Sequence, residues 1–78
     1  MEANIEIAQS LFKKRKFQEA IDTCKELLAT DNNSIKALKL IAKSFLATMK
    51  IEDARLYLNK ALSIKPDDYE LIKDLGNT

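Results

Sequence analysis

Histidine and tryptophan are absent from the 78 residues, and glycine, proline and cysteine occur once each. Without histidine the chain lacks the side chain best suited to proton transfer near neutral pH and to binding transition metals. No Gly-rich phosphate loop is present, and no cysteine or acidic set falls at metal-ligand spacing. The carboxylates are spread over solvated helix faces where nothing would tune them for acid–base work, so neither an enzyme nor a bound cofactor or metal is expected. Cys24 has no second cysteine to pair with, which excludes an internal disulfide and fits a reducing compartment. No apolar run reaches membrane-spanning length, and the first residues lack a basic-then-apolar leader, so the expected location is cytoplasmic. Neither sign of charge dominates: 13 basic residues face 12 acidic ones, for a net charge of +1. That balance argues against a dedicated electrostatic binder of nucleic acid or of anionic membranes.

What the chain does have is helix-forming composition. Apolar residues make up 46% of the sequence, too many for a disordered segment, and they recur at helical spacing. Five helical stretches are predicted, within one small domain of marginal stability. The first, over residues 2–14, aligns Ile7, Ala8 and Leu11. The second carries Phe17, Ala20, Ile21, Cys24, Leu27 and Leu28. The third places Leu38, Ile41, Ala42 and Phe45 on one face, and the fourth does the same with Ala54, Tyr57, Leu58, Ala61 and Leu62. A short fifth follows Pro66, with Ile72 and Leu75 on its apolar side and Gly76 near its end. Between the second and third, Asp31, Asn32, Asn33 and Ser34 form a loop whose last residues can cap a helix. Asp67 with Glu70 three residues later has the form of a capping box. The joints near residues 14–17 and 48–51 carry neither Gly nor Pro and are poorly marked.

The sequence also says nearly the same thing twice. KFQEAIDTCKELLATDNNS, from Lys16, aligns without a gap on KIEDARLYLNKALSIKPDD, from Lys50, at a spacing of 34 residues. A single helical hairpin cannot cover its own apolar face, whereas stacked copies bury both and share a surface. The period and the residues at fixed offsets resemble the tetratricopeptide repeat. In its slots the second copy holds Leu38, Ile41, Ala42, Phe45, Ala54, Leu58, Ala61 and Pro66. The first holds Asn4, Ile7, Ala8, Leu11, Ala20, Cys24, Leu27 and Asn32, and a cut-short third offers Ile72, Leu75 and Gly76. Asn4 reads as a solvent-facing cap, and Leu27 in a small-residue slot as a wider gap between copies. The resemblance implies an all-α, right-handed superhelix of antiparallel helix–turn–helix repeats: 1–34, 35–68, and a partial third repeat or capping helix at 69–78. Ala8, Ala42, Gly76, Ala20 and Ala54 would then sit where helices cross closely.

The same resemblance implies a concave groove lined by the first helix of each repeat. Helix phase puts Glu2, Ile5, Glu6, Gln9, Phe12 and Lys13 on it from the first helix. Lys36, Lys39, Leu40, Lys43, Leu46 and Ala47 follow from the third, and Glu70, Lys73, Asp74 and Asn77 from the fifth. Of these, Ile5, Gln9, Phe12, Lys36, Lys39, Leu40, Lys43, Leu46 and Lys73 are the candidate partner contacts. The stripe Lys36–Lys39–Lys43 lies between acids at Glu2 and Glu6 on one side and Glu70 and Asp74 on the other. It reads either as a ladder of surface ion pairs or as a receiver for an acidic segment. Phe12 and Leu46, in matching slots, would touch and form an apolar patch anchored by Phe12.

Members of this family that grip the C-terminal carboxylate of chaperone tails use a clamp of Lys, Asn, Asn, Lys and Arg. Ile5, Gln9, Leu40, Glu70 and Asp74 stand in those places, so that function is not expected. The run KKRK, Lys13 to Lys16, reads as a solvated turn without the aromatic interleaving of a nucleic-acid site. Cys24 reads as a buried small hydrophobe, and Tyr57 and Tyr69 as residues packed at helix joints. The expected function is a protein-interaction module that holds a partner segment, acidic and apolar in part, in the groove. The alternative is a structural unit that self-associates through its C-terminal face, or a fragment of a longer array, and its assembly should fail on charging Leu58, Leu62 or Ile72. RNA binding by a related helical repeat is a distant third, lacking paired base-reading residues.

Overall fold

The computed structural model describes residues 4–31 and 34–76, and every element among them is helical. Helices α1 (Ile5–Lys13) and α2 (Phe17–Thr30) form one hairpin, and α3 (Ile35–Ala47) and α4 (Ile51–Ile64) form the next. The short α5 (Tyr69–Gly76) follows. Each helix packs on its chain neighbours, and α1 also touches α3 across the hairpins. The predicted Glu2, Asn32, Asn33 and Asn77 lie outside the described residues, and Asn4, expected within the first helix, precedes it as its cap.

Local chemistry fixes where each helix opens. The Asn4 side chain accepts the Ile7 amide at 2.8 Å, and Ser34 accepts that of Ala37 at 3.4 Å. Each satisfies an amide that the helix itself leaves unpaired. The α5 cap falls one residue later than the capping-box pattern suggests. Asp68, rather than Asp67, accepts the amides of Glu70 (3.0 Å) and Leu71 (3.3 Å).

The two poorly marked joints turn out to be identical. After α1 the Lys16 amide donates to the Leu11 carbonyl (2.8 Å) and that of Arg15 to Phe12 (2.9 Å). Thirty-four positions on, Lys50 donates to Phe45 (2.8 Å) and Met49 to Leu46 (3.1 Å). This is the Schellman closure, which needs one residue in the left-handed region. Arg15 at φ 63° and Met49 at φ 65° supply it without glycine.

The core follows the repeat. Ile21, Leu38, Ile41, Leu58 and Leu71 are fully buried, and burying each such side chain stabilises the fold by about 1.5–3 kcal/mol. Between them Ala8, Ala20, Ala42, Ala54 and Ala61 are wholly shielded, so four of the five small residues expected at close crossings are buried. Gly76 is the exception: it is exposed, and a Cβ there would meet nothing within 4 Å. Cys24 is buried as expected, and burial pushes its thiol up to about 12. Ser44 lies in the core because α3 is flanked on both sides, and its hydroxyl donates to the Leu40 carbonyl at 2.8 Å. The α5 phase also differs from expectation. Leu71 faces inward while Ile72 is 48% exposed, because among the described residues α5 packs chiefly on α4. Tyr57 stacks on Phe45 (centroids 5.6 Å, 30°), but Tyr69 is exposed and packs at no joint. Leu58 is internal, so a charge there would disturb folding rather than an outer surface.

Candidate partner-binding groove

The side chains that α1 and α3 turn toward each other line an open groove made of two adjoining depressions. On α1, Gln9, Phe12 and Lys13 follow i, i+3, i+4; on α3, Lys36, Lys39, Leu40 and Lys43 follow i, i+3, i+4, i+7. Gln9, Phe12, Lys13, Leu40 and Lys43 border one depression of ≈ 330 Å³. Gln9, Lys36, Lys39, Leu40 and Lys43 border a smaller one of ≈ 130 Å³ beside it. Six of the nine predicted contacts therefore come together there.

The other three lie apart from these depressions. Ile5 and Leu46 are half-buried against the core, and Lys73 is exposed on α5. Leu40 is itself buried, so it forms the floor rather than standing out as a free apolar contact. Phe12 is held edge-on to Phe17, with centroids 5.3 Å apart at 68°. Its groove neighbours are Leu40 and Lys43, while Leu46 does not line that depression.

The basic stripe is divided in its pairing. Lys39 Nζ lies 2.8 Å from Asp68 and 3.6 Å from Glu70, and Lys43 Nζ lies 2.6 Å from Glu70. The ladder thus exists on the α5 side, with Asp68 as a member that helix phase missed because it precedes the helix. Among the described residues no ion pair joins Glu6 or Asp74 to the stripe, and Lys36 and Lys13 form none. Asp74 instead turns one carboxylate oxygen away from solvent with no hydrogen-bond partner. The Asp68 hydrogen bond holds the Lys39 ammonium above its ordinary range and is returned as a depression of Asp68. The hydrogen bond from Lys43 likewise depresses Glu70.

The arrangement is thus an apolar floor, Leu40 with Phe12, under a rim of lysines. Among the described residues no group of three or more His, Cys, Asp or Glu side chains could hold a metal, and no helix is long and apolar enough to cross a membrane. The family model for the tetratricopeptide repeat matches residues 4–77. The chain belongs to the tetratricopeptide repeat family. No curated protein and no solved structure matches it significantly. Tetratricopeptide repeats are non-catalytic modules that generally mediate protein–protein interaction. In tetratricopeptide terms the groove is the face shared by the first helices of successive repeats, here α1 and α3.

Proposed function

We propose that this tetratricopeptide repeat protein is an interaction module that holds a partner segment across α1 and α3. The observation that carries the reading is the juxtaposition of Phe12 and Leu40 with the uncommitted ammonium groups of Lys13 and Lys36. The partner segment is extended or helical, with acidic side chains for the rim and an apolar one for the floor. Ile5, Leu46 and Lys73 extend the contact at its margins. Residues 1–34 and 35–68 act as the two repeats, with 69–78 as the start of a third. A buried, unpaired Cys24 suits work in the cytoplasm. Two repeats offer little area, so affinities of about micromolar order follow.

Peptide-library selection on the wild-type chain tests this, followed by binding to Phe12→Ala and Lys36→Glu. Selected peptides should combine Asp or Glu with Leu or Phe and lose most of their affinity for both variants. Affinity unchanged in both would remove the groove from consideration. Lys39→Glu is unsuitable as a probe, because it would set a carboxylate against Asp68 and Glu70.

A second reading, self-association, is favoured by the exposed Tyr69 (87%) and Ile72 (48%) on α5. Sedimentation should then show mass rising with concentration and reverting in Ile72→Glu; a monomer at every concentration would exclude it.

A further inference from the structure

The two acids that α5 sends to α3 are held very differently. Asp68 caps its helix through two amides as well as pairing with Lys39, and its side chain is only 12% exposed. Releasing it would open the first turn of α5. Glu70 carries no such duty: its side chain is 48% exposed and among the described residues it pairs with the two ammonium groups, Lys43 the nearer at 2.6 Å. Lys43 is 41% exposed and borders both depressions of the groove. A carboxylate arriving in the groove therefore meets an ammonium already occupied by a carboxylate of the same chain. Exchange of one solvent-exposed carboxylate for another at that site requires no change in the fold, since such a pair contributes little to stability.

We infer that Glu70 is a built-in competitor for acidic partner side chains, occupying Lys43 until a partner carboxylate displaces it. This rests on the groove reading and adds what controls it. Glu70 weakens most the binding of a segment whose one carboxylate must use Lys43, and it leaves Lys36 and Lys13 as first points of attraction. Selectivity then favours segments with more than one acid, because a single carboxylate at Lys43 merely replaces an equivalent one.

The test compares wild type, Glu70→Gln, Lys43→Gln and the double variant. The probe is a fluorescein-labelled 12-residue peptide alternating Glu and Leu, read by anisotropy at low salt, with a Gln-for-Glu peptide as control. Glu70→Gln should bind the acidic probe about three- to five-fold more tightly, the size expected for one exposed pair. The gain should shrink in the Lys43→Gln background, shrink as salt rises, and be absent for the control peptide. Acquired binding by Glu70→Gln where wild type shows none would also support the inference. Equal or weaker binding by a folded Glu70→Gln, with wild type binding, would overturn it and leave the groove reading intact. Binding by neither would overturn both. Should Glu70→Gln melt early, Glu70→Asp keeps the charge but shortens its reach. Tightening there supports the inference, and an unchanged Kd overturns it.

Discussion

Replacing Arg15 and Met49 with glycine should make the protein more stable, although both changes delete large side chains. Each residue occupies the left-handed position of a Schellman turn, at φ 63° and 65°. For an L-residue that conformation costs roughly 1–2 kcal/mol, because Cβ crowds the following carbonyl. Glycine removes the clash but adds freedom to the unfolded chain, which takes back about 0.5–1 kcal/mol. Little packing is lost: Arg15 is exposed and Met49 is 79% exposed. The net gain is about 0.5–1 kcal/mol per site. The turns close on separate carbonyls, Phe12 and Leu46, so the effects should add to about 1–2 kcal/mol. For a domain of this size that corresponds to a rise in Tm of roughly 5–10 °C, measurable by circular dichroism melts. Arg15→Val and Met49→Val, whose branched Cβ fits this region worst, should melt earlier than wild type. A double glycine variant no more stable than wild type would refute the turn geometry.

Leu58→Ala should destabilise by about 2–5 kcal/mol and Leu56→Ala by less than about 0.5, because Leu58 is fully buried and Leu56 is 64% exposed; urea unfolding separates them. Asp68 and Glu70 titrate below their ordinary values in the folded state, so the stability they lend is complete at neutral pH and lost as pH falls through their folded values. Lys39 titrates above its ordinary value, so its share persists at neutral pH and is lost only as strong alkali passes its folded value. Lys39→Met should therefore flatten the fall in melting temperature between about pH 5 and 2, and an unaltered acid limb would contradict the Lys39–Asp68 pair. Cys24 should react with a thiol reagent only as fast as the chain opens, since it is buried and its thiol is pushed up to about 12.

The repeat was legible because its signal is written many times over. Ala8 and Ala42, Ala20 and Ala54, and Cys24 and Leu58 each recur at 34 residues, and all six are fully buried. The groove's helices were legible for the same reason, since helix phase alone brings Gln9 and Phe12 to face Leu40 and Lys43. What stayed hidden depends on contacts that no local pattern contains. Leu38 and Ile72 share a slot, yet Leu38 is fully buried because α3 has helices on both sides, while Ile72 does not. Leu40 reads as an outward residue from phase, and only the approach of α1 turns it into a floor. The choice of Asp68 over Asp67 as cap joins two backbone amides to a distant lysine, and a pair of adjacent acids cannot announce which of them will do so. The Schellman turns leave no mark in the sequence because Arg15 and Met49 fill a position where glycine is the usual sign.

The central claim is that α1 and α3 stand side by side and line one groove. A paramagnetic label at Gln9→Cys in a Cys24→Ala background, read through amide relaxation by NMR, tests it most directly. The groove geometry predicts strong broadening of the α3 amides of Lys36, Lys39, Leu40 and Lys43, with the amide of Leu56 on the exposed side of α4 far less affected. Sharp α3 amides, with broadening confined to α1 and α2, would contradict it.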